Sequence, residues 1–209
     1  MSLDVTFPID LTNGLVTTDL NTAFRCPVNR IAKQSSSEFL IPFEKMFKPA
    51  DMTAGLPSST TTGDAFLSRV GGTHGTATPT LKTADFTSAS GTQGLRFTFE
   101  LPHNYVAAGS VSLQVRAKWS ASAPTVTNDL DARVFLMDGI GGITGSDKVQ
   151  DAAQNPTGTA VTYEFDLSTT GLVAGNQLDC VVDIDVDQGA AAEAILVIGF
   201  VKMIVETQG

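Results

Sequence analysis

The sequence predicts an all-β protein, an antiparallel two-sheet jelly-roll sandwich preceded by an extended N-terminal arm. Three observations predict it. Apolar residues alternate with polar ones over at least five separate stretches of the C-terminal half, which is the period of a strand with one buried face. Gly and Pro fall between those stretches rather than inside them, where they supply turns. Only 17% of residues are charged, fewer than surface helices carry.

Taken in order, residues 1 to 36 alternate loosely through Val5, Phe7, Ile9 and Leu11 and then turn at Asn13-Gly14. They read as an arm that finds partners on another subunit, or equally as an edge strand of the same domain. Residues 37 to 209 form the sandwich, most regular over 90 to 209. Glu38 to Phe47, with Phe39, Ile41, Phe43 and Phe47, predicts a strand, and Thr80 to Phe86 a weaker one. The Ser, Thr, Gly and Pro between them, including Gly71 to Gly75, suit an irregular loop.

The clearest strands follow. Leu95, Phe97, Phe99 and Leu101 alternate with Arg96, Thr98 and Glu100, and Val111, Leu113, Val115, Ala117 and Trp119 with Ser112, Gln114, Arg116 and Lys118. The pattern returns at Leu130 to Met137, at Val161 to Leu167 and at Leu178 to Val186. The last stretch, Ala194 to Val205, is apolar on both faces. Ile195, Val197, Val201, Met203 and Val205 share one face with Gly199, and Leu196, Ile198, Phe200 and Ile204 the other. A strand covered on both sides, or one with its outer face in a subunit contact, fits this pattern. Eight short strands at roughly even spacing then require two packed sheets.

Composition also bounds function. The chain has 209 residues and a formal net charge of −9. Nucleic-acid binding depends on Lys and Arg neutralising phosphates, so no nucleic-acid partner is expected, nor attraction to an anionic membrane surface. The longest apolar run is short of the roughly 20 residues of a helical span, and the N-terminus lacks the basic and apolar regions of a secretory signal. Cys26 and Cys180 match no metal or redox spacing and are expected as free thiols, with one disulfide as the alternative.

Sites of chemistry are sparse. His74 and His103, the two histidines, have no partner at ligand spacing, and neither His-Glu-x-x-His nor Gly-x-Ser-x-Gly occurs. No catalytic residue, cofactor or metal is therefore assigned, and the chain is expected not to be an enzyme. Asp183, Asp185 and Asp187 share one strand face, as do Asp129 and Asp131. A solvated strand face is the first reading of these carboxylates, Ca²⁺ ligation the second and a glycosidase acid the third. Trp119, the one tryptophan, ends a core-facing run and is expected inside rather than on a sugar-binding platform.

Two stretches carry a family resemblance. The first is Gly94 to Gly109, an apolar strand ending in Leu101-Pro102 with a small-residue turn, followed by Val111 to Ala117. The second runs from Thr159 to Leu167 through Gly171-Leu-Val-Ala-Gly175 into the acidic strand Asp179 to Asp187. Together they resemble the central part of bacteriophage jelly-roll structural proteins, over roughly residues 90 to 209. The resemblance implies a capsid decoration, or cement, protein on the outer surface of the virion. Its implied partners are itself, as a homotrimer, and the major capsid protein. The oligomer or capsid contact then falls on the Ile195, Val197, Val201, Met203 and Val205 face, with Phe7, Ile9 and Phe24 anchoring the arm. The alternative function is a carbohydrate-binding β-sandwich module of a phage tail or secreted protein. A capsid shell protein and a glycosidase rank below these, the former because residues 1 to 36 hold three Lys or Arg and three Asp rather than a basic excess.

Overall fold

In a computed structural model, which describes residues 34–73, 75–121, 123–189 and 192–208, twelve strands form two antiparallel sheets. The strands are β1 (Gln34–Leu40), β2 (Phe47–Lys48), β3 (Asp51–Gly55), β4 (Ser68–Val70), β5 (Thr80–Lys82) and β6 (Ser90–Glu100). They continue as β7 (Val111–Trp119), β8 (Thr127–Met137), β9 (Ile143–Thr144), β10 (Val161–Asp166), β11 (Gln177–Asp187) and β12 (Leu196–Gln208). One sheet runs β10-β7-β12-β5-β4, with β1 also paired to β12, and the other runs β3-β2-β6-β11-β8-β9.

The eight strands β5 to β12 make the jelly roll. In one sheet stand the first, eighth, third and sixth of them, and in the other the second, seventh, fourth and fifth. Apart from the short β8–β9 step, each strand therefore crosses to the opposite sheet before the next begins. Non-local pairing of this kind closes both sheets over one core. That core takes Leu95 and Phe97 of β6, Leu113 and Val115 of β7, and Val182 and Ile184 of β11, all fully buried.

The regular strands lie where alternation places them. Glu38 to Phe47, expected as a single strand, splits: β1 ends at Leu40, Phe43–Lys45 make a 3-10 turn, and β2 follows. Pro42, which has no N–H to give a ladder, precedes that turn. β1 also begins inside the arm proposed from sequence and pairs with β12 from Gln34↔Gln208 to Leu40↔Lys202. Residues 34 to 36 thus belong to the sandwich, and the remainder of the arm, with Phe7, Ile9, Phe24 and Cys26, lies outside the described residues.

The largest correction concerns β12. Its register against β7 shifts between Ile198 and Phe200, and an extra residue in a strand exchanges its two faces from that point on. Leu196 and Ile198 point inward before the shift; Val201, Met203 and Val205 do so after it, all fully buried. The face proposed from strict alternation as a subunit contact is consequently divided. Val201, Met203 and Val205 belong to the protein's own core, whereas Val197 and Ile195 are half-buried. Phe200, Lys202 and Ile204, also half-buried, occupy the outer side.

Candidate functional site

Outside the core, the two sheets present faces of different chemistry. On the β6-β11-β8 face the register sets Asp183 between Gly94 and Asp131, and Asp185 between Thr92 and Asp129. Asp187 continues the row opposite Thr127, so the three β11 carboxylates do share one face. Two arginines occupy part of it. Arg96 grips Asp179 through one edge of its guanidinium, Nε donating to Oδ1 at 2.7 Å and NH2 to Oδ2 at 2.6 Å. Arg133 pairs with Asp183. Each carboxylate, by accepting its arginine's charge-assisted hydrogen bond, holds that guanidinium above its usual range.

Gly94 is required beneath this row. A Cβ there would stand 2.4 Å from Asp183 Oδ1 and 2.8 Å from the Val182 carbonyl oxygen. A cleft of about 350 Å³ in this face is lined by Thr92, Asp129, Asp131, Arg133, Ala153, Asp183 and Asp185. Among the described residues no group of three or more His, Cys, Asp or Glu is placed to hold a metal ion. The carboxylates of the glycine-rich 138–147 segment are likewise engaged locally. Asp138 accepts hydrogen bonds from the Ile140 and Gly142 N–H groups, which hold it below the usual carboxylate range. Asp147 accepts from Val134 and Val149.

The opposite sheet carries the larger recess, a solvent-open groove of about 780 Å³ across β4, β5, β12 and β7. Register builds its floor: Val197 of β12 is the partner of Lys82 on one side and of Lys118 on the other. Directly paired residues share a face, so both ammonium stems rise on the outer side with half-buried Val197 between them. Two strand spacings separate their Cα atoms, roughly 10 Å. Thr80 and Ser120 extend the floor, and the 71–78 loop forms a wall with Thr76 and Thr78. That loop is tied to itself by Thr76 and Ala77 N–H groups donating to the Thr73 carbonyl, both at 2.9 Å. Gly72 permits the closure, because a Cβ there would lie 2.2 Å from the Ala77 carbonyl oxygen.

Of the residues singled out from sequence, the structure brings only Val197 to this groove. Trp119 is fully buried, its Nε1 donating to Asn128 Oδ1 at 2.7 Å and to the Pro156 carbonyl at 3.0 Å. It stands on the core side, as expected, and offers no surface platform. Cys180 is a buried free thiol whose apolar surroundings push its pKa well up. His103 is exposed in the turn after Pro102, and His74 lies outside the described residues. The groove's Lys82 and Lys118 were not candidates, because 36 residues separate them and only their shared partner on β12 unites them.

No family model matches the chain, and no curated protein matches it. Solved structures that superpose on it include the CBM22-1 xylan-binding domain of Paenibacillus barcinonensis Xyn10C, at 15% identity and a TM-score of 0.44. That match covers 84% of this chain and 97% of the other. The mannan-recognising module TmCBM27 superposes at 11% identity and 0.36, covering 83% and 96%. The arabinose-bound MgGH51 α-L-arabinofuranosidase does so at 14% and 0.44, covering 81% of this chain and 26% of that one. All three are remote in sequence and in superposition.

Proposed function

We propose that this protein is a non-catalytic binding module whose ligand is a carbohydrate chain held on the outer face of the β10-β7-β12-β5-β4 sheet. The groove over Val197 carries this reading. It is open to solvent and offers the hydroxyl groups of Thr78 and Thr80 beside two ammonium groups, while the Thr76 and Ser120 hydroxyls, which donate to the Thr73 carbonyl and to Glu193, remain able to accept. A ligand dense in hydroxyls matches such a lining, since each hydroxyl both donates and accepts, and the apolar Val197 floor suits the less polar side of a sugar ring. Retardation of the protein in native gels containing dissolved polysaccharides tests it directly. Binding that weakens when Thr76 and Ser120 are both replaced by Ala supports the reading. Unaltered mobility in every polysaccharide refutes it.

A second reading, decoration of a bacteriophage capsid, follows the sequence resemblance and is favoured by a different observation. Leu40, 65% exposed, stands beside Lys202 on the outer surface, where Ile204 and Phe200 are only half-buried. Such an apolar strip suits contact with another protein. Light scattering giving about three times the 21.9 kDa chain mass, together with binding to undecorated heads, supports that role. A monomer that ignores such heads refutes it.

A further inference from the structure

We infer that the groove selects an acidic polysaccharide, with Lys82 and Lys118 jointly receiving the carboxylate or sulfate of one sugar unit. The inference rests on the carbohydrate-binding reading and adds the charge class of the ligand. Its first support is the distribution of charge. The chain holds 22 Asp and Glu against 13 Lys and Arg, yet the groove lining contains two lysines and no carboxylate. A surface that is cationic by chance is unexpected on so acidic a chain.

The second support is that these two cations are uncommitted. Arg96, Arg133 and Lys202 are paired with Asp179, Asp183 and Glu38. Arg69 Nε and Lys148 Nζ donate to the carbonyls of Leu56 and Thr170. Among the described residues Lys82 and Lys118 have no ion-pair partner; the Glu193 carboxylate at the groove's edge accepts from Ser120 Oγ at 2.7 Å and pairs with neither lysine. Placing two like charges on either side of one residue is unfavourable unless an anion bridges them.

Geometry supplies the third. Both side chains leave the same face at the same level of the sheet, flanking Val197. With Cα atoms roughly 10 Å apart, two four-carbon stems can lean inward until both ammonium groups meet one anionic group. Thr80 stands beside them to hydrogen-bond the ring hydroxyls, and Ser120, whose Oγ donates to Glu193, keeps its lone pairs to accept from them. Arg116, two residues before Lys118 on the same face of β7, extends the positive potential along the chain direction. A neutral glycan would leave both ammonium groups without a counter-charge.

The test is native-gel retardation and titration calorimetry of the full chain, using polygalacturonate against neutral galactan and repeated at low and physiological salt. The expected result is retardation by polygalacturonate, weakened by added salt, and little by galactan. Lys82→Met with Lys118→Met should reduce polygalacturonate affinity at least tenfold, whereas Lys148→Met outside the groove should not. Unchanged melting temperatures would show that the variants remain folded. Binding of both polymers alike, or a double variant that binds polygalacturonate like wild type, overturns the charge assignment while leaving a carbohydrate-binding role. Failure to bind any polysaccharide overturns both.

Discussion

Replacing Arg96 with Met should destabilise the sandwich far more than replacing Asp179 with Leu, although the two residues form one ion pair. Asp179 is 3% exposed on β11, and Arg96 supplies both of its hydrogen bonds. Removing the arginine strands a buried carboxylate, a loss of about 3–5 kcal/mol. It also frees the Pro49 carbonyl, which accepts a 3.3 Å hydrogen bond from Arg96 NH1. The reverse change is milder. The Arg96 side chain is 28% exposed, so its guanidinium can turn to water, and leucine at 179 can pack on Phe135, its β8 partner. That variant should lose about 1–3 kcal/mol. For a domain of this size, Arg96→Met corresponds to a fall in Tm of roughly 6–20 °C. The double variant should recover most of the loss, because two apolar groups replace a buried charge pair at little net cost. Guanidinium denaturation of all four proteins measures the cycle. Equal single losses that add in the double variant would refute the argument from burial.

The packing of the remaining core and surface residues sets further expected outcomes. Val201→Asp should prevent folding, since it places a carboxylate in the core; Val197→Asp should fold with unchanged mass yet lose polygalacturonate retardation. A soluble, cooperative Val201→Asp protein would contradict the bulged register of β12. Trp119→Phe should cost about 1–3 kcal/mol by leaving Asn128 Oδ1 without its indole donor, with sugar binding intact once folded; lost binding without lost stability would place the tryptophan in the site. Partial desolvation of this exposed carboxyl, reinforced by the charges of Asp151 and Glu164, raises the Asp166 pKa. A raised folded pKa contributes stability only at low pH and loses it as pH rises through that value. Asp166→Asn should therefore raise Tm at pH 7 and cease to do so below the usual carboxylate range, which thermal melts across pH 3 to 8 can decide.

Much of the fold was legible in the chain because strand burial leaves a two-residue period. Val111–Trp119 has a buried residue at every second position from Val111, and β11 keeps its carboxylates opposite its apolar side. The short strands were less legible for the same reason. Asp51–Gly55 alternates only between exposed and half-buried residues, none of them fully buried, and both residues of Ile143–Thr144 are exposed, so neither carries an apolar core period; β9 exists only through its pairing with Leu136 and Met137.

The all-β class, the run of alternating strands, the inward position of Trp119 and the acidic face of β11 could all be read from the chain alone. These follow from local alternation, which each stretch expresses without reference to the others. The strand order, the exchange of faces within β12 and the groove arise only when the sheets assemble. Thr80–Lys82 and Val111–Trp119 acquire a common site only because β12 lies between them, at a register set by a bulge near Gly199. A bulge leaves no mark on hydrophobic alternation except a run apolar on both sides, and cross-strand neighbours leave none. The physical reason is that sheet pairing is non-local: which side chains meet depends on packing both sheets around one core, and no single stretch of chain contains that information.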